Sequence, residues 1–180
     1  MVLIPFPKIL EQSQGTFRIS GMTLIYLDTS CDYADFEAAR ALRDEILKST
    51  GAKPAITRGK YSKGTNPGAG DGEYPDSLNA AYPANLIVLR RSARSGAAGS
   101  GVSKKSAVFH INASDPAGAA DFTSQQSYTL TVDRDAIVIT GNGGSGLYYG
   151  IQTLRQLIRN FGADIPCLRI EDSPSLEYRG

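Results

Sequence analysis

A glycine-rich segment is the clearest chemical motif in the chain. Residues 141–146, Gly-Asn-Gly-Gly-Ser-Gly, satisfy the pattern G-x-G-x-x-G, follow a predicted strand and open a predicted helix. Backbone N–H groups at such a helix start can hold a pyrophosphate, as they do in dinucleotide-binding domains. The preceding strand pairs in a predicted hairpin, and only residues 147–180 follow, too few for a doubly wound sheet. We therefore interpret the segment as a packing turn, with nucleotide binding as the alternative.

Few residues could transfer protons or attack a substrate. His110 is the only histidine, and it lies in a strand-like run without a paired Ser or Cys motif, so we interpret it as a strand residue. Glu171 and Asp172 are adjacent acids near the end of the chain. Neighbouring residues of a strand point to opposite faces, so these two cannot form the facing acid pair of a glycosidase. The sequence therefore predicts no catalytic residue in this chain.

Metal and cofactor chemistry are not indicated either. The two cysteines, Cys31 and Cys167, are far apart in sequence, and there is no C-x-x-C, no H-E-x-x-H and no ligand cluster. We predict no metal site and no cofactor. Two separate buried thiols are the favoured interpretation of the cysteines, and a disulfide in an oxidising compartment is the alternative.

Charge and hydropathy argue against two further classes of protein. The chain has 19 Lys and Arg against 18 Asp and Glu, a formal net charge of +1, so it does not have the charge of a strongly basic nucleic-acid binder. No apolar run approaches the roughly 18 residues of a membrane span, and the apolar start is too short for a signal peptide. The middle of the chain is locally basic but lacks interleaved aromatic residues, so we interpret these side chains as solvated loop charge: Lys60, Lys63, Arg90, Arg91, Arg94, Lys104 and Lys105.

Two helices are predicted. The first covers residues 35–50, with Asp32 or Asp35 as its cap and Gly51 after its end. Its apolar stripe consists of Phe36, Ala39, Leu42 and Ile46. The second follows the glycine-rich turn and ends at Gly162, and its stripe is spaced 4, 3, 4 and 3 residues apart: Leu147, Ile151, Leu154, Ile158 and Phe161.

The strands indicate one sheet that these helices cover. Residues 128–132 and 136–139 flank a short turn and predict an antiparallel hairpin. Other short strands are predicted near residues 3–7, 17–19, 24–27, 86–89, 107–111 and 168–170, with long loops at 58–85 and 92–106. Together, the predicted strands and helices indicate an α+β fold: a mixed, mainly antiparallel sheet of about seven strands with two helices on one face.

The end of the chain carries a resemblance to a known family. The run G-L-Y-Y-G-I-Q-T-L-R-Q-L-I at 146–158, then I-E-D-S-P at 170–174 and Tyr178-Arg179-Gly180, resembles the close of the N-terminal domain of family 20 glycoside hydrolases. These enzymes are β-N-acetylhexosaminidases. The opening L-I-P-F-P-K at 3–8 and the predicted hairpin resemble the same domain. Family 84 enzymes share a similar domain and a D-x-P-x-x-x-Y-R-G junction, but the opening and the 146–158 run favour family 20.

The resemblance implies an α/β sandwich whose parent enzyme performs catalysis in a separate domain. In that family a following (β/α)₈ barrel performs substrate-assisted retaining catalysis with a neighbouring Asp-Glu pair, so we expect residues 1–172 to be an accessory domain and 173–180 a junction into a barrel. Arg179 matches the family arginine that grips hydroxyls of the terminal sugar. The expected partners are that barrel and an N-acetylhexosamine-containing glycan, in a secreted or periplasmic enzyme, and the chain alone is expected to be inactive.

One further alternative is a free-standing module that binds a glycan or a protein partner. Such a module needs an exposed aromatic platform, and the candidates are the long-loop tyrosines Tyr61, Tyr74 and Tyr82. A downstream barrel in the reading frame would distinguish the accessory domain from this module.

Overall fold

The computed structural model describes Leu3 and residues 6–59, 85–92 and 125–173. The predicted strand at 107–111 with His110, the loop tyrosines and Arg179 lie outside the described residues, as do five of the basic residues, Lys60, Lys63, Arg94, Lys104 and Lys105. The described elements, in chain order, are β1 Ile9–Arg18, β2 Leu24–Asp28, α1 Tyr33–Thr50, β3 Ala55–Gly59, β4 Leu86–Arg91, β5 Tyr128–Val132, β6 Ala136–Gly141, α2 Gly144–Phe161 and β7 Asp164–Asp172.

The seven described strands form one mixed sheet in the order β1-β7-β5-β6-β4-β2-β3. The β1, β7, β5 and β6 strands pair antiparallel, whereas β6, β4, β2 and β3 pair parallel. The α+β class and the predicted hairpin of β5 and β6 are therefore confirmed. Parallel pairing takes half of the sheet, more than the sequence indicated, because β4 pairs with β2 and β6 and not with a sequence neighbour.

Both helices cover the same face of the sheet. Aligned residues of the three central parallel strands point to that face and are buried in one core: Ile25, Leu27, Ile87, Leu89, Ile137 and Ile139. From α2 the core receives Leu147, Ile151, Leu154 and Ile158, the stripe that the spacing predicts, with Phe161 partly buried beside it. Nonpolar burial of this kind is the main source of fold stability.

The first helix ends as its sequence predicts but begins two residues earlier, at Tyr33, because Asp32 and not Asp35 is its N-cap. Asp32 and Asp35 form a capping box, in which each side chain accepts a hydrogen bond from the backbone N–H of the other. Gly51 ends the helix in the left-handed conformation that a glycine adopts without strain. Ala39, Leu42 and Ile46 are buried as predicted, but Phe36 is 40% exposed, so its assignment to the buried stripe was wrong.

A cluster of charges joins the two helices. Glu45 of α1 is almost fully buried, and its carboxylate accepts hydrogen bonds from Arg155 Nη2 at 2.9 Å and from Arg159 Nε at 2.8 Å. These hydrogen bonds lower the pKa of Glu45 to about 2, with Arg159 as the larger cause and Arg155 as the second. The cluster joins the C-terminal half of α1 to that of α2.

Candidate functional site

Five strands, β2, β3, β4, β6 and β7, end at one edge of the sheet, which we call the carboxyl edge. The register places the end of β7 and the end of β6 beside the same residue, since Tyr128 pairs with both Asp172 and Gly141. The parallel strands β4 and β2 end at this edge too. Because α2 follows β6 closely and α1 follows β2, both helices start at the carboxyl edge. Polar groups at strand and helix ends therefore gather here.

The glycine-rich turn lies at this edge and brings α2 close to the sheet. Gly141 ends β6, and Gly143 is the N-cap of α2 without a side-chain cap. A Cβ on Gly141 would lie 2.2 Å from the backbone N of Leu147, and one on Gly146 would lie 2.2 Å from the carbonyl oxygen of Ser127. These positions need glycine because neighbouring backbone occupies the space, which is the packing role that the sequence favoured.

The strongest polar cluster at the carboxyl edge contains Arg91 and two aspartates. Arg91 Nη2 donates to Asp32 Oδ2 at 2.6 Å, and Arg91 Nε lies 2.8 Å from Asp35 Oδ2. Its backbone N–H also donates to Ser30 Oγ at 3.0 Å. Burial opposes the charged guanidinium, but hydrogen bonds to Asp35 and Asp32 outweigh this and raise the pKa of Arg91. The hydrogen bond from the Asp35 backbone N–H, with help from Arg91, lowers the pKa of Asp32.

The ion pairs of this cluster hold Arg91 and Asp32 in their charged forms, because the pKa of Arg91 is raised and that of Asp32 is lowered. A cleft of about 370 Å³ opens beside it, lined by Arg91 of β4 and by residues at the starts of both helices: Ala34, Asp35, Ala38, Gly144, Ser145, Tyr148 and Tyr149. The arrangement positions α1 on β4 and leaves a partly aromatic cleft.

The structure corrects the interpretation of two basic residues. Arg90 and Arg91 were assigned to solvated loop charge, but both belong to β4. Arg90 Nε donates to Thr140 Oγ1 of β6 at 2.9 Å. The Arg91 cluster could not be found from sequence, because it depends on the end of β4 lying beside the start of α1.

The two adjacent acids near the end of β7 occupy different surroundings. Glu171 is partly exposed and accepts a hydrogen bond from Arg169 Nε at 2.9 Å, whereas Asp172 is buried. A cleft of about 270 Å³ adjoins them, and next to it Lys8 Nζ donates to Ser173 Oγ at 2.8 Å. As neighbours in β7, Glu171 and Asp172 direct their side chains to opposite faces of the sheet, so they do not form a facing pair.

Both cysteines are free, buried thiols, as the favoured interpretation expected. Cys31 Sγ donates to the carbonyl oxygen of Leu89 at 3.3 Å. Burial raises the pKa of Cys31 to about 12, with a further contribution from Asp35, and burial also raises the pKa of Cys167. Neither thiol is therefore a nucleophile near neutral pH, since thiolate is the reactive form.

The described part of the chain contains neither a cluster of metal ligands nor a membrane-spanning helix. Residues 6–59, 85–92 and 125–173, with Leu3, contain no group of three or more His, Cys, Asp and Glu that could hold a metal ion. Of the helices described in those ranges, none has the length and hydropathy needed to cross a bilayer.

Comparison with known proteins gives a family match over nearly the whole chain. The model for glycosyl hydrolase family 20, domain 2, matches residues 1–173. An N,N'-diacetylchitobiase of Vibrio harveyi is 35% identical over 66 residues, which cover 34% of this chain and 8% of the relative.

Solved structures share the fold. The chitobiase FjGH20 of Flavobacterium johnsoniae aligns with a TM-score of 0.58 and 18% identity, over 98% of this chain and 21% of that one. CpGH84D aligns with a TM-score of 0.61 and 11% identity, over 99% of this chain and 25% of that one. At these identities the likeness concerns the fold alone. The chain spans a quarter or less of the length of each of these relatives.

Proposed function

The chain belongs to glycosyl hydrolase family 20, as domain 2 of that family, and from this premise we propose that it is a non-catalytic accessory domain of a larger β-N-acetylhexosaminidase. One observation carries the proposal: the domain model covers residues 1–173, while the relatives that share the sequence or fold are at least about four times as long. A domain that makes up so small a share of its relatives leaves room for a separate catalytic domain.

The geometry of the chain agrees with a supporting role. The charged groups at the carboxyl edge pair with one another, and the two thiols are buried and protonated. Glu171 and Asp172 differ in exposure and do not face each other. The described residues thus supply neither the facing carboxylates of the usual two-carboxylate mechanism nor an activated thiol nucleophile.

The parent reaction is the release of terminal β-linked N-acetylhexosamine from glycans. In the resembling family the substrate supplies the nucleophile: an aspartate orients the acetamido group, its oxygen attacks the anomeric carbon, and a neighbouring glutamate protonates the leaving oxygen. This route retains configuration and needs neither metal nor cofactor. The names of the Vibrio and Flavobacterium relatives, both chitobiases, support a substrate that contains N-acetylglucosamine.

We also propose the domain boundary and one substrate contact. Residues 1–172 form the accessory domain and 173–180 lead into the catalytic (β/α)₈ barrel, in keeping with the end of β7 at Asp172. Arg179 lies in that junction and binds hydroxyls of the terminal sugar. Its planar guanidinium can donate two parallel hydrogen bonds to neighbouring oxygens.

The proposed partners are the barrel of the same polypeptide and the glycan, without nucleic acid, in a secreted or periplasmic enzyme. The near balance of 19 basic and 18 acidic residues agrees with the absence of a nucleic-acid partner.

The experiment is to read the frame beyond Gly180 and to express the full-length protein. We expect a barrel with an adjacent Asp-Glu pair, and turnover of a chromogenic N-acetyl-β-glucosaminide. Substituting the glutamate with glutamine should lower kcat by ~10²- to 10⁴-fold, as loss of a general acid does. A frame without a catalytic domain, or a full-length protein without this activity, would overturn the proposal.

A further inference from the structure

The sheet face opposite the helices, which we call the helix-free face, contains a wide depression of about 680 Å³. Short side chains from the neighbouring strands β5 and β6 line its middle: Thr129, Thr131, Ala136, Val138 and Thr140. These residues alternate with core residues along each strand, and each is partly exposed. The volume of the depression lies within the range of ligand sites, about 300–1,000 Å³.

Charged side chains border the depression in equal numbers of each sign. Arg169 of β7 and Arg90 of β4 lie on its two sides, because the sheet order is β7-β5-β6-β4. Asp133 and Asp135 line it at the turn between β5 and β6. The two formal charges of each sign cancel, so this lining has no net charge with which to attract an anion or a cation.

Hydrogen bonds hold both arginines in place beside the depression. Arg90 Nε donates to Thr140 Oγ1 at 2.9 Å, and Arg169 Nε donates to Glu171 Oε1 at 2.9 Å. The Arg169 side chain nevertheless remains 52% exposed, so a ligand can reach it. Side chains that are already ordered lose less conformational entropy when they bind a ligand.

Two hydroxyls and an apolar patch lie between the arginines. Within residues 6–59, 85–92 and 125–173, no hydrogen bond engages the hydroxyls of Thr129 and Thr131, and each can both donate and accept. Val138 pairs with Thr131 across the strands, and Ala136 precedes it on the same face. A matching ligand is uncharged, carries hydroxyl or amide groups at short intervals, and has small methyl groups. Sugars with an N-acetyl group meet all of these conditions.

Other occupants match the depression less well. The centre of a protein interface is rich in aromatic side chains and poor in charge, whereas the described lining has four charged residues and no aromatic ring. A nucleic acid or an anionic glycan would meet the carboxylates of Asp133 and Asp135. A neutral glycan meets neither obstacle.

We propose that the depression on the helix-free face binds a neutral, N-acetylated glycan chain. Hydroxyl and amide groups of the glycan hydrogen-bond with Thr129, Thr131 and the flanking arginines, and an acetamido methyl group packs on Val138. Because no aromatic ring of the described residues lines the depression, hydrogen bonds and not ring stacking hold the sugar. This inference rests on the proposed function, since a β-N-acetylhexosaminidase acts on such glycans. It adds a glycan-binding surface among the described residues of this chain.

An NMR titration of the isotope-labelled 180-residue chain with chitohexaose, the linear hexamer of N-acetylglucosamine, tests the proposal. We expect saturable shift changes at the backbone amides of β5, β6 and β7, and none along α1 and α2. Cellohexaose, which lacks the acetamido groups, is the matched ligand and should bind more weakly. The absence of saturable changes up to ~10 mM chitohexaose, changes confined to the helices, or equal affinity for the two sugars would overturn the proposal.

Variants of the same chain test which side chains bind the glycan. Thr129→Val with Thr131→Val removes two hydroxyls and keeps the β-branched shape, so the strands should persist, which circular dichroism verifies. We expect the Kd for chitohexaose to rise at least ~5-fold, because each lost hydrogen bond costs about 2- to 10-fold in affinity. Thr57→Val is the control, because Thr57 of β3 is partly exposed on the same face and does not line the depression. Equal Kd values for the control and the double variant would contradict the site.

The full-length protein separates this inference from the proposed function. The ratio of the KM for chitohexaose to the KM for a chromogenic monosaccharide should rise in the double threonine variant and not in Thr57→Val. An active enzyme in which both variants keep the same ratio overturns this inference alone. A reading frame without a catalytic domain overturns the proposed function, whereas the titration of the 180-residue chain still tests the glycan site.

A charged ligand gives a different result in the same titration. Binding that favours deacetylated chito-oligosaccharide and weakens as salt is added would assign the depression to a cation held by Asp133 and Asp135. That result would overturn the proposal of a neutral, N-acetylated ligand. Binding of chitohexaose that is insensitive to salt is the result we expect.

Discussion

Gly146 shows at the residue scale why the turn before α2 is rich in glycine. A Cβ there would meet the carbonyl oxygens of Ser127 at 2.2 Å and Gln125 at 2.9 Å, and both are backbone atoms that cannot rotate away. We expect Gly146→Ala to lower the free energy of unfolding by about 1–3 kcal/mol, as overpacking does. Gly21→Ala is the control, because no atom lies within 4 Å of its added Cβ and its φ is not positive. Equal urea midpoints for the two variants would contradict the packing role of the turn.

Glu45 gives a prediction about pH. Its pKa falls from 4.5 to about 2 on folding, so its ion cluster stabilises the fold above pH 4.5 and loses this effect as the pH drops toward 2. The effect is on the order of 2 kcal/mol after allowance for solvent screening at the half-exposed Arg159. Glu45→Gln should therefore flatten the dependence of unfolding free energy on pH across that window.

Glu37→Gln is the matched control in the same helix. The ion pair of Glu37 with Arg40 is exposed, so its removal should change the free energy of unfolding by less than about 0.5 kcal/mol. The dependence of that free energy on pH should remain as in the unchanged protein. A Glu45→Gln protein with an unchanged pH profile would mean that the buried cluster contributes nothing.

Arg179 gives the residue-scale prediction about substrate. In the full-length enzyme, Arg179→Lys should lower kcat/KM strongly, because an ammonium cannot reproduce two parallel hydrogen bonds and leaves a sugar hydroxyl without its donor. The measurement compares kcat/KM of the two enzymes on one chromogenic substrate, with circular dichroism to verify the fold. Near-equal values would make Arg179 a junction residue without a binding role.

At the scale of elements, the fold depends on the contact of α2 with the sheet. Leu154 of α2 is fully buried in the core, so Leu154→Ala should cost about 2–5 kcal/mol of unfolding free energy. Leu47→Ala makes the same chemical change at a position that is 42% exposed and should cost much less. Chemical denaturation of both variants checks this, and equal costs would mean that the buried face of the helices has been assigned wrongly.

The elements that could be predicted from sequence are those whose signals are local. The capping aspartates Asp32 and Asp35, between which the sequence left the N-cap open, the β5–β6 hairpin and the α2 stripe each follow from residues close together in the chain. The stripe repeats at helical spacing over four turns, and the hairpin flanks a turn of three residues. The structure adopts these locally predicted elements because its tertiary contacts favour the same elements.

The elements that were missed or misjudged are the two edge strands. β3 has one large apolar residue, Ile56, and its end at Arg58 and Gly59 was predicted to begin a loop. Strands were predicted around Phe17 and near residues 3–7, yet β1 runs from Ile9 through a polar stretch with a shifted register near Gly15, and the described Leu3, Phe6 and Pro7 lie outside any strand. An edge strand pairs on one side only and buries little, so its sequence carries a weak apolar pattern. The Arg91 cluster escaped prediction for a related reason, because pairing between distant strands creates it.

At the scale of the whole molecule, the central claim is that this chain supports catalysis but performs none. The most direct test is the turnover of a chromogenic N-acetyl-β-glucosaminide by the purified 180-residue chain, measured beside the full-length protein. We predict turnover by the full-length protein and no rate above the buffer for the chain, since the described residues provide no acid pair to protonate the leaving group. Turnover that scales with the concentration of the chain, and survives removal of contaminating enzymes, would contradict the account.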